Sequence, residues 1–147
     1  MNQEMNIRTP NTKSEWEKYF DLRYRLLRKP WGKPVGSEKD KIEKECTHVA
    51  CFKNDKILGV CRLQKNNDNT GQVRYMAVEE KTQGMGIGKK IMNYIEDKAR
   101  EQGMTEIVLH ARENALKFYE AAGYAFVAKS YVLYGSIPHF KMQKKLF

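Results

Sequence analysis

The segment that most constrains how this chain can fold is a glycine-rich run, Gln83-Gly84-Met85-Gly86-Ile87-Gly88-Lys89-Lys90, between a predicted strand and a predicted helix. Glycine accepts positive φ and lets a ligand approach the backbone closely. A helix N-terminus presents amide N–H groups and the positive end of the helix dipole. Together with the two lysines, this pattern predicts a phosphate or pyrophosphate site, although a structural turn without a ligand would have the same sequence.

Two familiar phosphate-binding motifs do not fit this run. A P-loop requires GxxxxGK[ST], but Gln83 stands at the first glycine and Lys90 at the hydroxyl position that binds Mg²⁺. The dinucleotide motif GxGxxG places its third glycine on Lys89 or on Ile91, depending on the starting residue. The run therefore predicts a phosphate ligand held in some other way.

Hydrophobic periodicity predicts a mixed α/β chain. A first helix begins near Thr12, which can act as its N-cap, and a strongly amphipathic helix follows Ile87 and ends at Gly103. Shorter helices are predicted over residues 37–46 and 114–122. Strands are predicted over residues 47–53, 56–65, 72–78, 106–111, 124–134 and 138–146. This order predicts an antiparallel first half and at least one parallel crossover.

Length and composition favour one folded domain over residues 1–147. Hydrophobic residues make up 41% of the chain, which argues against disorder. The longest apolar run, 124–128, is far below the roughly 20 residues of a membrane-spanning helix, and the N-terminus does not resemble a secretion signal. Three cysteines, Cys46, Cys51 and Cys61, lack zinc-site spacing, so we expect inert reduced thiols in a cytoplasmic protein that needs no metal.

The formal net charge of +9 favours a polyanionic partner. Nucleic acid, anionic lipid and a phosphorylated cofactor all qualify. A basic run on the first helix, Arg23, Arg25, Arg28 and Lys29, is interpreted as a solvated face or as a basic wall suited to an acidic substrate. Nucleic acid is disfavoured because the sequence shows no helix-turn-helix, RNP-type or zinc-finger pattern.

Several features together resemble the GCN5-related N-acetyltransferases. The residues Gln83-x-x-Gly86-x-Gly88 resemble that family's Q/R-x-x-G-x-G/A signature, and Tyr75-Met76-Ala77-Val78 resembles its fourth strand. Residues 114–124 resemble its second block, and the element order agrees over nearly the whole chain. The resemblance implies the acyl-CoA N-acyltransferase fold, which is a mostly antiparallel central sheet with one splayed parallel pair and about four helices.

The resemblance also implies a reaction, the transfer of acetyl from acetyl-CoA to a primary amine of a small molecule or peptide by direct attack. It implies that the amides of residues 83–89 hold the pyrophosphate, while Met76, Val78 and Asn114 hold the pantetheine arm. A backbone N–H at Val78 would polarise the acetyl carbonyl. Tyr119 corresponds to the tyrosine that protonates the leaving thiolate, whereas its neighbour Phe118 is predicted to lie in the core.

The general base is left open by the sequence. Some family members carry a glutamate where this chain has Gln72, which cannot accept a proton. Among the candidates we select His139, because a histidine has a suitable pKa and the loop before it is expected on the acceptor side. The other candidates are His110, His48, Glu79, Glu80 and a water relay.

Two other functions remain open from sequence, a basic nucleic-acid module and an acyl-CoA sensor without turnover. Stabilisation by coenzyme A or by an oligonucleotide distinguishes the first of these from an acetyltransferase. The family resemblance also allows a homodimer.

Overall fold

The computed structural model describes residues 5–147, in which three α-helices accompany seven β-strands. The helices are α1 (Lys13–Leu27), α2 (Ile87–Glu101) and α3 (Leu116–Ala121). The strands are β1 (Met5–Arg8), β2 (Thr47–Lys53), β3 (Lys56–Lys65), β4 (Thr70–Val78), β5 (Glu106–Arg112), β6 (Ala125–Leu133) and β7 (Ile137–Lys145). Short 3₁₀ turns cover Lys29–Trp31, Glu43–Glu45, Glu80–Thr82 and Glu113–Ala115.

The seven strands form one mixed sheet in the order β1-β2-β3-β4-β5-β7-β6. Strands β4 and β5 pair in parallel, with residues 70–73 opposite residues 106–109. The pairs β1–β2, β2–β3, β5–β7 and β6–β7 are antiparallel. The predicted mixed sheet, with its parallel crossover through α2, is confirmed.

The chain divides into two compact units, with boundaries inside β3, β4 and α2. The first unit contains the chain up to Leu63 together with Tyr75–Ile95. The second unit contains Gln64–Arg74 and Glu96–Phe147.

In the first unit, α1 packs against β2 and β3. Thr12 is the N-cap of α1, since its hydroxyl accepts a hydrogen bond from Glu15 N–H at 3.1 Å. The buried side chains of Tyr19 and Leu22 form a core cluster with residues of the sheet that include Val60. Burial of this apolar face, rather than helix propensity, holds α1 in place.

Gly59 allows α2 to approach β3 closely. A Cβ at this position would lie 2.8 Å from Ile91 Cδ1 and 3.0 Å from Ile87 Cγ2. Both isoleucines are almost fully buried, so neither side chain has room to move. The absent side chain therefore allows the first turns of α2, which follow the glycine loop, to pack directly on β3.

In the second unit, Glu96 joins α2 to the strands beyond α3. Its carboxylate accepts hydrogen bonds from Tyr124 Oη at 3.0 Å and from Lys144 Nζ at 2.9 Å. Lys144 also donates to the carbonyl of Ala122 at 2.8 Å, where α3 ends. The carboxylate is buried but paired, which makes its burial tolerable.

The predicted helix over residues 37–46 is wrong, because only the 3₁₀ turn Glu43–Glu45 forms there. The side chains that would line such a helix bond elsewhere. Glu43 accepts from the Asp40 amide and from Arg23, and Asp40 accepts from the Ile42 amide. The fold accordingly has three α-helices among the described residues instead of about four.

We predict that Gly59→Ala lowers the free energy of unfolding by about 1–3 kcal/mol, because the added methyl group overpacks the contact with α2. Urea denaturation measures the change. Ile91→Val removes the Cδ1 atom that the methyl group meets. The double variant should therefore be more stable than the sum of the two single changes indicates. Strict additivity would show that this contact does not limit the packing.

Candidate functional site

The glycine loop lies in the first unit and has the predicted geometry. Gly84 and Gly86 have φ values of 90° and 79°, which are left-handed conformations that favour glycine. A Cβ at either position would meet nothing within 4 Å. Glycine is therefore required here by the backbone conformation and not by a lack of space. The loop is exposed, and Lys90 N–H bonds to Gly86 O at 3.1 Å, as in a first helical turn.

The start of α2 directs amides and positive charge outward. The first N–H groups of a helix have no acceptor within the helix, so those of Ile87, Gly88 and Lys89 point out of its N-terminal end. Lys89 and Lys90 are exposed beside them. The Gln83 side chain donates to Val78 O at 3.3 Å, which connects the loop to the end of β4. This arrangement suits a pyrophosphate.

Strand β4 changes course at Tyr75, which has a φ of 56°. A left-handed bulky residue inside a strand is unusual and costs about 1–3 kcal/mol, so its surroundings must enforce it. The Arg23 guanidinium lies 4.1 Å from the Tyr75 ring centroid, and that of Arg62 lies 4.8 Å away. Met76 and Val78 follow this bend and are half-buried.

Arg23 and Arg62 are fully buried and share the carboxylate of Glu43, at 2.8 and 3.0 Å. Arg62 also forms two 2.8 Å bonds with Asp40. Burial acts to lower the pKa of Arg62, but its bonds with Asp40 and Glu43 outweigh that effect and raise it. This cluster was not predicted, because its members are far apart in the sequence and each resembles an ordinary surface charge.

His48 is a structural residue. Its Nε2 lies 2.6 Å from Glu43 O and its Nδ1 lies 2.8 Å from Tyr19 Oη. A carbonyl can only accept, so Nε2 carries the hydrogen and Nδ1 accepts from the tyrosine. Burial lowers the pKa of His48, which keeps the ring neutral. Both nitrogens are therefore occupied within the protein.

The basic run at the end of α1 is divided between buried and exposed residues, and Lys29 at its end is exposed. Arg23 is buried in the cluster, and Arg28 donates to the Ser37 carbonyl at 3.1 Å. Arg25 pairs with Asp21 at 2.8 Å and with Glu79 at 3.0 Å. The interpretation as a solvated face is wrong for Arg23, and Glu79 is held by an arginine.

In the second unit, Tyr119 is buried whereas Phe118 is 37% exposed. The prediction that Phe118 lies in the core is therefore wrong. The rings of Tyr119 and Tyr124 meet edge-on with centroids 5.8 Å apart. Asn114 is exposed in the turn before α3. The short helix turns its tyrosine inward because α3 contacts β5 and β6 on that side.

His139 lies near the start of β7 with a defined tautomer. Its Nδ1 is 3.0 Å from the carbonyl of Ile137, so Nδ1 carries the hydrogen and Nε2 keeps a lone pair. Tyr131 stacks on the imidazole with centroids 4.5 Å apart. Burial lowers the pKa of His139, with a smaller contribution from Arg112 in the same direction. The neutral ring is thus in the form that a general base requires.

Three of the other residues considered in the sequence analysis are His110, Gln72 and Cys61. His110 Nδ1 is buried without a hydrogen-bond partner in the described part of the chain, and burial lowers its pKa. Gln72 accepts from Asn66 at 3.1 Å. Burial raises the pKa of Cys61 to about 12, so its thiol is unreactive.

Among residues 5–147, no three His, Cys, Asp or Glu side chains stand together in a way that could hold a metal ion. No helix of the same range combines the length and apolar character needed to cross a membrane.

Solved structures share this fold. A Lactobacillus plantarum protein assigned to the N-acetyltransferases is 22% identical, with a TM-score of 0.85 and coverage of 97% of this chain and 99% of that one. An aminoglycoside 6′-N-acetyltransferase determined with coenzyme A is 18% identical, with a TM-score of 0.82 and coverage of 98% and 97%. Identities this low establish the fold alone.

Sequence comparison extends this result to the family. The uncharacterized N-acetyltransferase YjcF of Bacillus subtilis is 28% identical over 125 residues, which is 85% of this chain and 89% of YjcF. The sequence model of the acetyltransferase (GNAT) family matches residues 13–124. That range contains the glycine loop, the bend in β4 and Tyr119. The chain therefore belongs to the GNAT family and is an acetyltransferase.

Proposed function

We propose that this chain, as one domain of residues 1–147, transfers the acetyl group of acetyl-CoA to a primary amine of a small molecule or peptide. The observation that carries the proposal is the exposed loop in which Gly84 and Gly86 lead, in left-handed conformations, into the N-terminus of α2. A GNAT neighbour determined with coenzyme A supports the same donor here. The aminoglycoside acetyltransferases of this fold support a small-molecule amine as acceptor.

The first unit supplies the groups that hold the donor. The amides of residues 83–89 receive the pyrophosphate, and Lys89 adds positive charge. The parallel pairing of β4 with β5 covers residues 70–73 and ends before Met76 and Val78. These two residues bind the pantetheine arm through their backbone, as an added strand would.

The proposed chemistry uses one base and one acid. Acetyl-CoA, when bound, supplies the thioester that the acceptor amine attacks. His139 accepts the amine proton at Nε2, because its Nδ1 hydrogen is donated to Ile137 O. Tyr119 donates its phenolic proton to the sulfur as the C–S bond breaks and the C–N bond forms, and then regains a proton from solvent. The Val78 N–H polarises the acetyl carbonyl.

Calorimetric titration with acetyl-CoA tests the donor site. We expect micromolar binding and about a tenfold or greater loss of affinity in Gly86→Ala, because alanine at this φ adds strain of about 1–3 kcal/mol. Gly103→Ala is the matched control. It adds a methyl group at φ 83°, also in open space, at the opposite end of α2. Absence of binding, or an equal loss in both variants, would contradict the proposed site.

Substitution Tyr119→Phe tests the proposed acid. We expect kcat to fall about 100-fold, since general acid catalysis contributes factors of about 10²–10⁴, while the Kd for acetyl-CoA stays unchanged. Tyr124→Phe is the control, because it removes the hydroxyl of a neighbouring buried tyrosine that bonds to Glu96. That variant should lose stability but keep its turnover. Wild-type turnover in Tyr119→Phe would refute the assignment.

The pH profile tests His139. Because its pKa is lowered from 6.5, the neutral form dominates above that pH. We expect kcat/KM to fall as pH decreases through a value below 6.5 and to be flat at higher pH until another group titrates. His139→Gln should abolish this acid limb and lower the rate. The imidazole of His139 is faced by Arg112, His110 and Tyr131.

The control for that profile is His110→Gln, which should keep the acid limb whatever its effect on the rate. Retention of the limb in His139→Gln would contradict the role of this base.

A further inference from the structure

In the first unit, an ion pair joins α1 to the segment that leads into the glycine loop. The Arg25 guanidinium donates to both carboxylate oxygens of Glu79, with Nη1–Oε1 and Nη2–Oε2 distances of 3.3 and 3.0 Å. Its Nε donates to Asp21, four residues earlier on the same helix, at 2.8 Å. Glu79 is the first residue after β4, so a side chain of α1 reaches the point where the chain leaves the sheet.

Glu79 is also held through its backbone. Its N–H donates to the carbonyl of Leu58 in β3 at 2.8 Å. Its carbonyl accepts from the amide and from the hydroxyl of Thr82, at 3.0 and 2.9 Å. The residue is therefore bonded to β3 through its N–H, to α1 through its carboxylate and to the turn that follows through its carbonyl.

The turn after Glu79 connects it directly to the glycine loop. Gln83 N–H bonds to Glu80 O at 3.3 Å, and Met85 N–H bonds to Thr82 O at 3.2 Å. Each of these bonds closes a turn over three residues, which leaves the backbone between Glu79 and Met85 little freedom. A rotation of Glu79 would therefore move the amides that the proposed donor site uses.

The Glu79 side chain is not enclosed by packing. It lines an open cavity of about 430 Å³, whose other lining residues belong to α1 and to the β2–β3 hairpin. The side chains of Arg25 and Glu79 are 39% and 30% exposed. Hydrogen bonds with Glu79 and, second, with Asp21 raise the pKa of Arg25 above its usual value. The guanidinium is thus the group that orients this carboxylate.

The charges of these side chains do not by themselves favour an anionic ligand. Asp21 and Glu79 carry two negative charges and Arg25 carries one positive charge, so the three side chains are negative in sum. Negative charge beside the loop opposes the binding of a pyrophosphate. The ion pair can therefore serve a pyrophosphate site through the geometry that it enforces, and not through attraction.

We propose that Arg25 and Glu79 are positioning residues for the donor site, and that their ion pair holds the start of the loop so that the amides of residues 83–89 converge on the pyrophosphate of acetyl-CoA. This inference rests on the proposed function. Donors that are fixed before the ligand arrives lower the cost of binding it. The proposal also gives Glu79 a role other than the general base for which it was one candidate.

Titration of acetyl-CoA into Glu79→Gln tests this inference, because positioning and electrostatics predict opposite signs. The substitution keeps the size of the side chain and removes its charge. We expect the Kd for acetyl-CoA to rise about tenfold, since displacement of positioning groups by about 1 Å can cost up to about 10²-fold. Loss of a negative charge would by itself lower the Kd, and loss of a general base would leave it unchanged.

Asp21→Asn is the matched control. It removes the other carboxylate that is bonded to Arg25, and the same amount of charge, but it leaves the bonds between Arg25 and Glu79 in place. Its Kd should stay within about twofold of the wild-type value or fall, because exposed helical pairs contribute little. Arg25→Gln should also weaken binding, and the double variant of Arg25→Gln with Glu79→Gln should bind no more weakly than Arg25→Gln alone.

Amide hydrogen exchange in the free protein gives a readout that needs no ligand. The amides of Thr82, Gln83 and Met85 are hydrogen-bonded within the turn. They should exchange several-fold faster in Glu79→Gln than in the wild-type protein or in Asp21→Asn. Amides in the middle of α2 should exchange as in the wild type, since a half-exposed ion pair adds little to global stability.

Three results would overturn the inference: an unchanged or lower Kd in Glu79→Gln, an equal loss of affinity in Asp21→Asn, or turn amides that exchange equally in all three proteins. If acetyl-CoA fails to bind the wild-type protein, the proposed function fails and this inference fails with it. If acetyl-CoA binds the wild-type protein and Glu79→Gln equally well, only this inference fails.

Discussion

The first unit depends on the carboxylate of Glu43, which lies between two fully buried guanidinium groups, those of Arg23 and Arg62. Removing one partner of a buried ion pair typically costs about 3–5 kcal/mol, because it leaves a charge without compensation. The carboxylate joins the irregular segment between α1 and β2 to helix α1 and to strand β3. The two arginines also pack on Tyr75, whose left-handed backbone bends β4 just before Met76 and Val78. An electrostatic cluster thus supports the strand geometry of the proposed donor site.

Local patterns made much of the fold predictable. Amphipathic spacing located α2, and the hairpin of β2 and β3 followed from alternating residues around Asn54, which indeed takes a turn conformation with φ 57°. The glycine loop was also predictable, since Gly84 and Gly86 are required by their own backbone angles. In each case the information lies within about ten residues of sequence, so neighbouring residues alone determine the conformation.

The errors concern residues whose state depends on distant partners. Residues 37–46 have charges at helical spacing, but Glu43 bonds to Arg23 and Arg62 instead of stabilising a helix. The exposure of Phe118, next to buried Tyr119, depends on how a six-residue helix is rotated against its neighbours, which periodicity over so short a segment does not determine. No pattern indicates a left-handed Tyr75 either, because its conformation is enforced by side chains that pack on it.

The effect of the net charge of +9 depends on where the charged residues lie. In α1 and β3, arginines are paired with carboxylates and stabilise the protein internally, so they contribute little to any external field. Lys89 and Lys90 are exposed beside the glycine loop, and Arg112 lies opposite His139 across the β5–β7 pair. Burial lowers the pKa of His139, and the positive charge of Arg112 acts in the same direction because it disfavours protonation of the imidazole. Arg112 therefore helps to keep Nε2 in the free form that the proposed base requires, so the position of this charge determines what it does.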